Sequence, residues 1–274
     1  MTTIKSLEGQ EVLRQLARCF PQLYLVPGSP GAEEKYYNAV YRGMEIPAND
    51  LSHFRMSEED RYETVETPVG TVPVVTLHER RDFEVFLWIM VNKGVPYDVP
   101  ASQGSAILDG VISWQKTGNK EKEWRKNVLI VLSDGPYSNV PASAFGLDDR
   151  EWRRRSGIIR KMHECTHFIC RKRFPGRNDA VWDEIVADAA GLIAAFGKYD
   201  PEMAAAFLGV SSDGYTGGRL EIYVQPQEDM DSAARKVWNI LMGIQTWYDT
   251  VPETDVFHIV LMLEEKQDEL SAYL

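Results

Sequence analysis

The segment KMHECTHF, residues 161–168, places two imidazoles four residues apart, His163 and His167, with the carboxylate of Glu164 directly after the first. On a helix, at about 100° per residue, His167 falls roughly 40° from His163 and one turn further along, so both rings leave the same side. Two imidazoles at that spacing can converge on one metal ion, and a carboxylate beside the line of ligands is placed to act as a base toward water. Ile158, Met162, Cys165 and Ile169 recur at i, i+4, i+7 and i+11 on the other side and form a core stripe, which leaves the histidine face clear of that packing. The bland alternative is that five letters with two free positions spell an ordinary polar helix face.

A catalytic zinc takes three protein ligands and keeps one position open. Downstream, NDAVWDEIVADAAGLIAAFGK (178–198) reads as a second helix, with Asn178 or Asp179 as its cap and Gly197 as its stop. Trp182, Ile185, Val186, Ala189, Ile193 and Phe196 make its apolar stripe. Glu184 and Asp188 sit four apart on the opposite face, followed by small Gly191 and Ala195, which would let another helix come close. Cys170 shares the histidine face, but at seven residues past His163 it lies roughly 10 Å along the axis, too far for an unstrained tetrahedral site, and it reads as a small buried residue.

H-E-x-x-H followed by a helix bearing E-x-x-x-D resembles the gluzincin zinc metallopeptidases. The resemblance covers about residues 158–196. It implies Zn2+ held by His163, His167 and Glu184, with Asp188 orienting His163 and Glu164 as general base, and a peptide or other amide substrate. The phrase HECTHF…WDEIVADAAGL is also similar to a family of uncharacterised bacterial proteins with a gluzincin-like core, to which no substrate attaches. One departure stands out: Arg160 and Lys161 precede the first histidine, where metallopeptidase helices carry uncharged residues.

Hydrolysis at zinc also needs a donor for the developing oxyanion. GGRLEIY offers Arg219 and Tyr223, four apart after a glycine pair, with Tyr223 the expected catalytic donor and Arg219 a substrate contact. Tyr215 and His258 are alternatives. Arg160, one turn before His163, could meet a substrate carboxylate or phosphate. If the apolar strand 127–133 lies at a sheet edge, an extended peptide could pair with it, and residues 135–143 would border the cleft.

These groups need a scaffold. Residues 70–77 and 126–135 read as strands, and 7–19, 79–94 and 106–116 as helices. From about residue 150 the chain reads as helices at 150–173, 179–197, 201–208, 231–248 and 253–271, interrupted by one strand near 219–224. Strands early and helices late predict an α+β fold: one zincin-like domain over 1–274, with a mixed lobe and small sheet at 1–149, a mainly helical lobe carrying the metal site at 150–274, and a cleft between them.

The bulk properties narrow the function. Thirty Lys and Arg against 41 Asp and Glu give the 274 residues a net charge of −11, which disfavours nucleic acid and anionic membranes. The clusters Arg153-Arg154-Arg155 and Arg171-Lys172-Arg173 have no interleaved aromatic platform and read as solvated faces. No apolar run is long enough to span a bilayer. Three cysteines do not make a disulfide framework, so a reducing, cytoplasmic setting is expected. P-loop, G-x-G-x-x-G and G-x-S-x-G motifs are absent. The expectation is a zinc-dependent hydrolase, a metallopeptidase in the first place. The alternatives are a zinc amidohydrolase of small molecules and a non-catalytic protein with a structural or vestigial metal site.

Overall fold

The computed structural model describes residues 6–46, 50–115, 123–177, 179–225 and 229–271. The fold is α+β. The chain divides into two compact units, 1–66 with 71–134, and 67–70 with 135–274, so the boundary falls about fifteen residues before the expected lobe junction at 149/150.

The first unit holds β1 (Ser6–Glu8), α1 (Glu11–Cys19), α2 (Ala32–Arg42), β2 (Arg61–Thr67), β3 (Gly70–Leu77), α3 (Arg80–Met90), β4 (Ser105–Gln115) and β5 (Glu123–Ser133). Its strands form one mixed sheet in the order β1-β2-β3-β5-β4, with β3 and β5 parallel and β4 and β5 antiparallel. Val75, Leu77, Leu129 and Val131 pack with Phe83, Phe86 and Leu87 of α3 and Val12, Leu13 and Leu16 of α1, which is the core of this unit. Buried Asp60 accepts from the His78 and Ser57 amides, and Asp82 from those of Arg55 and Met56, which satisfies backbone donors the loops would otherwise bury unpaired.

Three expectations are corrected here. Residues 106–116 are not a helix: up to Gln115 they lie in strand β4, paired with β5, and Gly110 at φ +73° absorbs a bulge between Asp109 and Val111. Residue 116 lies outside the described residues. The apolar spacing of AILDGVISW suits either period, and tertiary pairing with β5 decides it. Strand β5 is not an edge, since β3 and β4 flank it on both sides, so it cannot take a peptide by strand addition. The helix expected over 7–19 begins only at Glu11, since residues 7 and 8 lie in β1, paired antiparallel with β2, and helix α2 and strand β2 stand where the sequence pattern predicts no element.

The second unit is mainly helical: α4 (Asp149–Arg173), α5 (Ala180–Phe196), α6 (Pro201–Leu208), the two-residue strands β6 (Val210–Ser211) and β7 (Gly214–Tyr215), α7 (Met230–Tyr248), α8 (Val256–Glu265) and α9 (Gln267–Ser271). The strand expected near 219–224 is instead a single 3-10 turn over Arg219–Ile222. Trp152, Trp182, Ile185, Phe207, Leu208, Leu241 and Ile259 lie in the core of this unit. Among the described residues no helix is long and apolar enough to cross a membrane.

Candidate metal centre

Helices α4 and α5 build the site, and each begins on a local signal. The Asp148 carboxylate accepts from the Glu151 amide at 2.9 Å and the Asp179 carboxylate from that of Trp182 at 3.0 Å, so both helices start on an aspartate cap. Asn178, the other candidate cap, lies outside the described residues. Gly197, at φ +71°, ends α5 in the left-handed conformation. The two helices pack closely because Gly191 has no side chain: a Cβ there would fall 2.8 Å from Ile159 Cγ2 and 3.0 Å from the Ile159 carbonyl oxygen.

Across this contact the ligating atoms of three residues converge. His163 Nε2 lies 3.1 Å from His167 Nε2 and 3.5 Å from Glu184 Oε2, and His167 Nε2 lies 3.3 Å from Glu184 Oε1. A tetrahedral zinc with bonds of about 2.0–2.1 Å separates its ligands by about 3.3–3.4 Å, and the two imidazole nitrogens and the Glu184 carboxylate, with one oxygen facing each nitrogen, lie at separations of that order. These three residues form a group able to hold a metal ion, and all are buried or nearly so.

The outer atoms are equally ordered. His163 Nδ1 is 3.0 Å from Asp188 Oδ1 and 2.8 Å from the Tyr137 hydroxyl, which itself donates to Asp188 Oδ1 at 2.5 Å. A proton on Nδ1 has acceptors at both, and with Nδ1 protonated a neutral ring would offer its Nε2 lone pair toward His167 and Glu184. Tyr137 lies 26 residues before His163 and was not singled out from sequence; no spacing rule links the two. Arg219 donates one guanidinium nitrogen to Glu184 Oε2 at 3.0 Å and another to Asp188 Oδ2. Tyr223 also bonds Glu184 through its hydroxyl.

The electrostatics follow from this packing. Burial disfavours ionised Glu184, yet His163, a bond from His167 and the Arg219 cation outweigh it and hold the carboxyl well below its ordinary range. Asp188 is likewise buried and is pulled down by Arg219 and His163. His163 is pushed toward the neutral form by burial, but Glu184 and Asp188 win and raise its pKa. Burial, with Asp188 and Glu184 nearby, pushes the Tyr137 hydroxyl far up despite Arg219, so it stays a hydrogen-bond donor.

Of the residues expected at the site, His163, His167, Glu184, Asp188, Arg219 and Tyr223 come together. Glu164 is buried, 6% exposed, and its charge reaches His163. Arg219, expected to contact substrate, is instead packed against the two carboxylates of α5. Arg160, expected to face a substrate anion, points its guanidinium at the carbonyl oxygens of Gly135 and Pro136, 2.6 and 2.5 Å away, and so pins the segment that delivers Tyr137. Tyr215 bonds the backbone of Gly218, and exposed His258 pairs with Glu253. Cys170 is away from the triangle: its thiol contacts buried Glu264 at 3.5 Å, and burial pushes its pKa up.

The chain belongs to the Family of unknown function (DUF7005), whose family model matches residues 4–129 and 120–247, a span that takes in every residue of this centre. No curated protein and no solved structure matches the chain.

Proposed function

We propose that this protein is a zinc-dependent hydrolase, a metallopeptidase acting on a peptide or other amide bond. One observation carries the reading: two imidazole nitrogens 3.1 Å apart on one helix each face an oxygen of the Glu184 carboxylate, at 3.5 and 3.3 Å, on a second packed helix, with a buried carboxylate adjoining the first histidine. His163, His167 and Glu184 would hold the ion, which when bound polarises a carbonyl and acidifies water.

The remaining work falls to side chains of this chain. Glu164 accepts the proton of the attacking water and returns it to the leaving amine. Tyr223, whose hydroxyl is held protonated by burial and the neighbouring Glu184, would turn that proton from Glu184 to the oxyanion. Asp188 and Tyr137 keep His163 in the tautomer that offers Nε2 outward. The free, mostly buried cysteines fit a reducing compartment, and we place the protein in the cytoplasm on that ground.

The test begins with metal content. About one zinc per chain in the purified protein, lost in His163→Ala and in Glu184→Ala, is the expected result; no zinc after supplementation would remove the reading. Glu164→Gln should keep the metal while turnover of a panel of peptides and small amides disappears. Undiminished turnover in that variant would remove Glu164 from the mechanism.

A further inference from the structure

Arg219 is set in place by a glycine contact remote from the ligands. The backbone of Leu208–Gly209, at the end of α6, lies directly against that of Gly217–Gly218. A Cβ on Gly209 would fall 2.3 Å from the Gly217 carbonyl atoms, and one on Gly218 would fall 2.5 Å from the Gly209 nitrogen. Gly209 also needs its left-handed φ of +71°. The Thr216 amide donates to the Gly209 carbonyl at 2.8 Å, and the Tyr215 hydroxyl both donates to the Gly218 carbonyl and accepts its amide, each at 2.8 Å. The loop 214–218 is thus clamped to the end of α6, and Arg219 follows it immediately.

From that anchor the Arg219 guanidinium, 11% exposed, reaches Glu184 Oε2 with one nitrogen and Asp188 Oδ2 with another, and its carbon lies 5.2 Å from the centre of the Tyr137 ring. One cation therefore joins the carboxylate that completes the ligand triangle to the carboxylate that orients its first histidine. A flexible glutamate free of this tie would populate several rotamers; a fork fixed on both oxygen partners selects one.

We propose that Arg219 is a positioning residue for the metal centre, and that the Gly209–Gly218 backbone contact governs metal affinity through it. The proposal rests on His163, His167 and Glu184 binding zinc. Its physical content lies in a competition of opposite signs. The guanidinium repels a dication, so charge alone says that removing it tightens binding. Ordering of Glu184 says that removal loosens binding, and the proposal is that ordering wins.

Zinc affinity, read by competition with a chromophoric chelator, and the visible spectrum of the Co2+-substituted protein would be measured for wild type, Arg219→Met, Arg219→Lys and Gly218→Ala. Folding of each variant would be checked by circular dichroism. Loss of an outer partner of a metal ligand lowers affinity about 10–100-fold, and that is the change expected for Arg219→Met, with an altered Co2+ band envelope as Glu184 loosens. Arg219→Lys keeps the repelling charge without the fork and should bind zinc no more tightly than Arg219→Met. Gly218→Ala retains the arginine yet should weaken zinc in the same direction. Wild-type or tighter binding in Arg219→Met, or wild-type affinity in Gly218→Ala, overturns the proposal while leaving the zinc site standing. Absence of zinc binding by the wild type removes the zinc site and the proposal with it. If Arg219→Met fails to fold, Arg219→Lys and Gly218→Ala decide by the same criterion.

Discussion

Gly191→Ala tests the claim that the helix contact, and not His163, His167 and Glu184 alone, makes the proposed metal centre. The new Cβ would sit 2.8 Å from Ile159 Cγ2, 3.0 Å from the Ile159 oxygen and 3.2 Å from its Cα. The methyl group can rotate aside, but two of the three atoms belong to the backbone of α4. Reaching ordinary contact requires the helices to part locally by about half an ångström, and such overpacking costs about 1–3 kcal/mol. Exchanging glycine for alanine inside a helix contributes about 1 kcal/mol in the other direction. The net expectation is a destabilisation of about 1 kcal/mol, which lowers the melting temperature by about 2–4 °C in a unit of this size. The same displacement moves Glu184 on α5 relative to His163 and His167 on α4. Metal sites tolerate distance errors of only about 0.2 Å, so zinc affinity should fall tenfold or more. Gly157→Ala in α4 is the matched control, because a Cβ there meets nothing within 4 Å among the described residues. It should raise stability by about 0.4–1 kcal/mol and leave zinc affinity unchanged. Thermal unfolding and chelator competition on both variants suffice. If Gly191→Ala stabilises as much as Gly157→Ala and holds zinc as tightly as wild type, the close helix contact does not set the site.

Further outcomes follow from the same structure. Asp179→Ala removes the cap that accepts from the Trp182 amide and should lower stability by about 1 kcal/mol, read by chemical denaturation. Cys170 should resist iodoacetamide at pH 8 in the native protein and react on unfolding, because burial and the adjoining Glu264 raise its thiol pKa above 9.0; rapid native labelling, seen by mass spectrometry, would contradict that. Alkaline stability should decline from about pH 9 upward. Cys170, Tyr137, Tyr199 and Tyr223 all have pKa values raised above their ordinary 9.0 or 10.0, first by burial, so the folded chain keeps protons that the unfolded chain releases. Their contribution is complete below the unfolded values and shrinks as pH rises past them. Tyr199→Phe should flatten this decline, since it removes one of these hydroxyls, buried without a hydrogen-bond partner among the described residues; a melting temperature constant to pH 11 would refute the sign.

The helices that carry the centre were legible in the sequence. Apolar stripes of period 3.6, with Asp179 among the cap candidates and Gly197 at the stop of the second helix, are local signals, and they put His163 and His167 on one face and Glu184 and Asp188 on one face without knowledge of the fold. The small residue at Gly191 also announced a close neighbour. Tertiary structure alone decided which side of α4 meets which side of α5, and so whether the two pairs share a site. It also decided the partners of those ligands. Tyr137 enters from a three-residue 3-10 turn that no periodicity describes, held by Arg160, while Arg219 reaches both carboxylates from beside the point where Gly209 and Gly218 let two backbones touch. Arginine in a sequence signals only a charge, and its partner is fixed by the path of the chain. The misread segment 106–116 has the same cause in the other unit: its apolar spacing suits helix or strand, and the choice was made by hydrogen bonds to β5, which no local pattern encodes. What a short stretch of chain determines by itself is its own period and its ends; which charges meet is determined by segments far apart in sequence.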